Sequence, residues 1–221
     1  MEFDAPNASE TYPNSINDGG YISGWYDDSG NVGHGFIRAP DGTFTSFDAP
    51  NSQGIIPQRI NAGGSIVGYY ADNSGALHGF VRNSSGTITS FDPPNSTATQ
   101  AYDINSAGVA VGSFTDSKNA SHGYIRNAAG TFTIFDIDGS TSTGAISIND
   151  DGFVAGVCAC GKRVKYTHGF VRDPDGTVKV FQLEKFSREP TKVARINAKE
   201  AIVGSFTEDG DGDSFGFVWR Q

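Results

Sequence analysis

The chain has 221 residues, of which 37% are hydrophobic, 19% are charged and 29 are glycine, and its formal charge at pH 7 is −9. Sixteen Phe and eight Tyr with so little charge exclude a disordered chain, which lacks the apolar surface that offsets ordering entropy. No apolar run approaches the roughly 20 residues of a membrane-spanning helix, and the net acidity disfavours a nucleic-acid partner.

The charge is uneven along the chain. Residues 1–161 carry five basic and sixteen acidic side chains, whereas residues 162–199 carry ten and four. The basic segment is read as a solvated face that could attract an anion locally.

The elements come in copies. The chain opens on Phe3-Asp4-Ala5-Pro6, which returns at Phe47 to Pro50, at Phe91 to Pro94, and more loosely at Phe135-Asp136 and Phe181-Gln182, with steps of 44, 44, 44 and 46 residues. A strand ending in Ile-Asn follows at Ile16, Ile60, Ile104, Ile148 and Ile196. Asn-Asp-Gly-Gly or a relative then turns the chain, because Asn suits the first turn position and Gly the left-handed one. A second strand closes on Gly24, Gly68, Gly112, Gly156 or Gly204. A third reads His-Gly-aromatic-aliphatic-Arg at His34, His78, His122 and His168, degraded in the fifth copy to Phe215-Gly216-Phe217-Val218-Trp219-Arg220. A fourth alternates aromatic residues with Thr or Ser up to the next Phe-Asp.

Each unit therefore reads as four short strands, which predicts an all-β fold: a single five-bladed β-propeller over residues 1–221 with repeats at about 3–46, 47–90, 91–134, 135–180 and 181–221. The fifth unit stops at Gln221 without its Phe-Asp strand. The N-terminal strand near Phe3 is expected to join the C-terminal blade and close the ring, removing an exposed edge. The motifs together resemble the HAF-repeat family of predicted extracellular bacterial repeat proteins over essentially the whole chain. That resemblance implies secretion or surface display and brings no catalytic residues; the chain begins directly inside a motif, so any signal peptide is expected to have been removed or left out of this sequence.

The repeated residues are read as scaffold. His34, His78, His122 and His168 are spread around a ring and cannot meet at one ion. Because Gln182 and Phe215 lose Asp and His together, the expected pairs are Asp4/His34, Asp48/His78, Asp92/His122 and Asp136/His168, an Asp of one blade clasping the His of the next. Cys158 and Cys160 are spaced awkwardly for a disulfide within a strand, and with His168 they give three soft ligands where a structural zinc wants four. Asp209, Asp211 and Asp213 resemble the first half of a calcium loop without its distal Glu, and are the one calcium candidate. No other cofactor is expected.

Function is sought in positions that vary between copies. Ser15, Arg59, Asp103, Ser147 and Arg195 precede the repeated Ile and point away from it, toward the axis if this strand is innermost, where they could hold a small anion or sugar. Trp25, Tyr26 and Asp28, with Tyr69, Tyr70 and Asp72, place aromatics beside carboxylates, as sugar sites do. Glu10 and Asp103 are unrepeated acids with no sign of glycosidase spacing. The expected function is a secreted or surface-displayed, monomeric binding module for a glycan or small polar ligand. Alternatives are a polysaccharide-active enzyme, glycoside hydrolase or lyase, working at the axis, and a structural scaffold for protein interaction.

Overall fold

A computed structural model describes residues 2–160, 167–181, 191–207 and 214–220. The described residues form nineteen strands and no helix. The chain divides into two compact units, Met1–Gly108 and Val109–Gln221.

In the first unit, β1 (Glu10–Ile16), β2 (Ile22–Asp27), β3 (Gly33–Arg38) and β4 (Phe44–Phe47) form an antiparallel meander, and β5 (Ser52–Ile60), β6 (Ile66–Asp72), β7 (Leu77–Arg82) and β8 (Ile88–Phe91) form a second. A parallel pairing of Gly33 with Gly54 joins the two into one sheet. Strand β9 (Ser96–Ile104) packs against β6 and β7. In the second unit, β10 (Ala110–Asp116), β11 (Ser121–Arg126) and β12 (Phe132–Phe135) run antiparallel. So do β13 (Thr143–Ile148), β14 (Val154–Cys158), β15 (His168–Arg172) and β16 (Val178–Phe181), and then β17 (Thr191–Ile196), β18 (Ile202–Thr207) and β19 (Ser214–Trp219).

The turn chemistry read from the sequence is formed. Gly64 N–H donates to the Asn61 carbonyl at 3.0 Å with Gly64 at φ +79°, the left-handed value that glycine adopts without cost. The glycine closing the second strand has a different reason. A Cβ on Gly68 would overlap the Ile56 carbonyl and sit 2.9 Å from the Phe80 ring, so it is the absence of a side chain that lets β5 and the ring approach β6.

Successive repeats share apolar cores. Ile37 and Phe47, on β3 and β4 of the first meander, pack with Ile55, Ile60, Ile66 and Phe80 of the second. In the second unit Val111 and Ile125 pack with Ile148 and Val154, and Ala155 and Val171 with Ile196 and Ile202. In three copies the repeated Arg lies over the Phe of the preceding Phe-Asp: the Arg82 guanidinium sits 4.8 Å from the Phe47 ring centroid, Arg38 4.9 Å from Phe3, and Arg172 5.2 Å from Phe135. The expected closing strand is not formed. Residues 2–5 carry no strand, and Phe3 packs instead on Phe36 and Phe44 of the first repeat, as Phe47 packs on Phe80 of the second.

Candidate functional site

A register shift lies in the first strand of four repeats, between Pro13 and Ser15, Pro57 and Arg59, Ala145 and Ser147, and Val193 and Arg195. Such a bulge puts two residues opposite one and re-aims the side chain that follows. It brings three of the axis candidates together. Arg59 Nε donates to Asp103 Oδ1 at 3.1 Å, and Arg59 Nη1 donates to Ser15 Oγ at 3.3 Å. Asp103 is 1% exposed and also accepts from the Ile104 N–H, while Ser15 accepts from the Ile60 N–H. The buried carboxylate of Asp103 is thus compensated by the guanidinium and by a backbone N–H, as a buried charge must be, while Arg59, 18% exposed, also reaches the Ser15 hydroxyl. In the second unit Ser147 Oγ accepts from the Ile196 N–H, and Arg195 is exposed.

The loop candidates divide. Trp25, Tyr69 and Tyr70 line a cavity of about 310 Å³ between the first and second repeats, with Asp27, Gln53 and Leu77. Trp25 is held by stacking on Tyr12, ring centroids 4.1 Å apart, and the Tyr12 hydroxyl donates to Glu10, which raises its pKa. Gln53 Nε2 donates to the Asn73 carbonyl, which leaves its side-chain oxygen for another partner. Tyr26 is taken up by scaffold, hydrogen-bonded to Ser46 and stacked on His34. Tyr70 is hydrogen-bonded to Ser90 and stacked on His78. Asp28 accepts from the N–H groups of Gly30 and Val32, and Asp72 from Ser74 and Ala76, which closes their turns.

The histidine pairing corrects the sequence expectation. His34 Nδ1 donates to Asp48 at 2.9 Å, His78 to Asp92 at 2.7 Å and His122 to Asp136 at 2.9 Å. The pairs Asp4/His34, Asp48/His78, Asp92/His122 and Asp136/His168 are not formed. The reason is register: Gly35 faces Phe47 across β3 and β4, so the next residues out, His34 and Asp48, face each other. Each ring also has a second carboxylate, with His34 Nε2 3.5 Å from Asp28, His78 Nε2 3.4 Å from Asp72 and His122 Nε2 3.5 Å from Asp116. Burial pulls the three imidazoles down, but the hydrogen bonds and charges of the two carboxylates outweigh it and leave each pKa above the ordinary 6.5. Asp72 is held at about 2, chiefly by the Ser74 hydroxyl.

The clasp between repeats is instead the asparagine of Ile-Asn. Asn17 Nδ2 donates to the Asn61 carbonyl at 3.1 Å, Asn61 to Asn105 at 2.9 Å, and Asn149 to Asn197 at 3.1 Å. The other side-chain atom, Oδ1, accepts from the N–H four residues on in each hairpin, as Asn61 does from Ser65. Turn formation alone would tolerate Asp here, so the Asn in all five copies was the signal.

Cys158 and Cys160 form a disulfide, contrary to the expectation from spacing. The chain leaves the strand at Cys158, which brings the two Cα atoms to 5.3 Å, within bonding range. Asp209, Asp211 and Asp213 lie outside the described residues. Among the described residues no group of three or more His, Cys, Asp or Glu is placed to hold a metal, and no helix is long and apolar enough to cross a membrane.

No family model and no curated protein matches the chain. Solved structures do. The β-propeller domain of the Trilobed protease from Pyrococcus furiosus superposes with a TM-score of 0.66 at 12% identity, covering 96% of this chain and 68% of that one. Virginiamycin B lyase from Staphylococcus aureus gives 0.58 at 14%, covering 96% and 72%. TolB from Acinetobacter baumannii also gives 0.58 at 14%, covering 96% and 55%. The fold is that of a β-propeller.

Proposed function

We propose that the chain is a secreted or surface-displayed binding propeller of five four-stranded blades, one per sequence repeat, and that it holds carbohydrate in the cavity between the first two repeats. The HAF-like motifs support the blade count and the location. The observation that carries the binding assignment is the lining of that cavity. Trp25, braced by Tyr12, and Tyr69 offer flat apolar surface to the C–H face of a sugar, while Asp27 and Gln53 offer polar groups to its hydroxyls. A volume of about 310 Å³ suits one or two sugar rings. The burial of Asp103 and its pairing with Arg59 speak against an enzyme using that acid, since a catalytic acid must reach substrate.

A glycan panel followed by titration calorimetry tests the assignment. The hit is expected to weaken at least tenfold in Trp25→Ala, on the order of 1.4 kcal/mol, and to be unchanged in Tyr26→Phe, whose ring belongs to the scaffold. Equal affinity in Trp25→Ala, or no glycan bound at all, would sink it and favour the protein-interaction alternative.

A further inference from the structure

A second cavity of the first unit, about 420 Å³, opens beside the turn that joins β5 to β6. The carbohydrate cavity lies toward the opposite end of these strands, at Gln53 to Ile56 and Tyr69 to Ala71, and the two share no lining residue. Ile37 and Ile60 give the second cavity an apolar wall, and Tyr21, Thr45 and Ser84 bring hydroxyls that have no hydrogen-bond partner among the described residues.

Arg82 is the charged residue of the lining. It is also the repeated arginine that is buried, at 8% exposed, whereas Arg38, Arg126 and Arg172 are half-buried and Arg220 is exposed. A guanidinium has five N–H donors. One of them, on Nη1, goes to the Asn83 carbonyl at 3.3 Å; Nε is buried with no acceptor, and Nη2 has none among the described residues. Burial pulls the Arg82 pKa below the ordinary 12.5, and no neighbouring carboxylate offsets it. A buried charge left in this state is costly unless something pairs with it.

The other repeats show what is missing. Three residues after Arg38 and Arg172 stand Asp41 and Asp175, whose pKa values are lowered chiefly by the Thr43 and Thr177 N–H groups and in part by the guanidinium charge. That position is Ser85 after Arg82, and Ala129 after the less buried Arg126. The remaining arginine of the first unit, Arg59, is paired with Asp103.

We infer that this cavity binds a small organic carboxylate, taken by the Nη1 and Nη2 edge of Arg82 as the counter-charge that Asp41 and Asp175 supply in their own repeats, with Thr45 and Ser84 serving the hydroxyls of its body. The planar carboxylate matches the guanidinium fork. A single negative charge is preferred to a doubly charged phosphate, because residues 1–108 carry three basic and eleven acidic side chains and the exposed Asp18 stands between the lining residues Asn17 and Gly19. A cavity of this volume accommodates a sugar-sized ring beyond the carboxylate.

Titration calorimetry with acetate, lactate and glucuronate, against inorganic phosphate, tests this. The tightest of the three carboxylates is expected to bind with a Kd of about 1 mM or below, at least tenfold tighter than phosphate and several-fold more weakly in high salt. Ser85→Asp, at an exposed position, restores the missing acid and is expected to weaken that carboxylate at least tenfold with unchanged circular dichroism. Arg82→Gln is expected to weaken it as much. Trp25→Ala is expected to leave it unchanged, so failure of the carbohydrate assignment would not touch this one. No binding by any of the three carboxylates, equal affinity in Ser85→Asp, loss of binding in Trp25→Ala, or phosphate held as tightly would each overturn the inference.

Discussion

The first three repeats and the fourth share a backbone and differ in how they hold the histidine and the turn beside it. In the first three, the imidazole stacks on Tyr26, Tyr70 or Phe114 at 5.0–5.3 Å and sits between two aspartates, one of which also closes the turn with its own hydrogen bonds. In the fourth, by the same spacing, Cys158 replaces the aromatic ring and Cys160 replaces the turn aspartate, and the two are bonded to each other. The outer aspartate becomes Gln182, which lies outside the described residues. A covalent link thus stands where the other repeats use a ring, a carboxylate and an ion pair. The scaffold needs the turn held, and it does not need histidine chemistry to hold it.

If the backbone is what the repeats have in common, Gly68→Ala and Gly156→Ala should do equal and severe damage. The added Cβ would overlap the carbonyl of Ile56 in one and of Gly144 in the other, and neither strand can yield without opening its sheet. A loss of roughly 3 kcal/mol or more is expected in urea unfolding of both variants; a mild effect at either site would break the comparison. Reducing the Cys158–Cys160 bond should cost less, roughly 1.5 kcal/mol, because so short a loop loses little chain entropy on closure. The reductant should leave the stability of the Cys158→Ser/Cys160→Ser double variant unchanged.

The smallest effect is the dependence on pH. His34, His78 and His122 have folded pKa values above 6.5, so their contribution is complete below that pH and is lost as the pH rises through the folded values. The urea midpoint should therefore fall between about pH 6 and pH 8. The fall should be shallower in His78→Asn, and an equally steep one would mean that the carboxylates around His78 do not favour its protonated form.

The repeat lengths, the four-strand unit and the hairpin turns were legible in the sequence because local turn chemistry and period determine them. The histidine partners were not read correctly, although register contained the answer: once Gly35 is placed opposite Phe47, His34 must face Asp48. Loss of Asp and His together at Gln182 and Phe215 pointed the wrong way, because Cys158, Cys160 and Gln182, the positions that surround His168 by the spacing of the earlier copies, differ from those copies as a set. Trp25 and Tyr69 were found as candidates from their type, but their separation from Tyr26 rests on which side of the strand faces the cavity, and this becomes visible only when two repeats are packed.

The asparagine clasp bears on how the chain folds. Each clasp ties residues 44 or 48 positions apart, whichever repeats it joins. The loop to be closed is therefore about the same size at every step, and because closure entropy depends on the logarithm of loop length, no step is much slower than another. Folding can begin at any adjacent pair and grow outward one repeat at a time, at a pace set by the repeat and not by the length of the array.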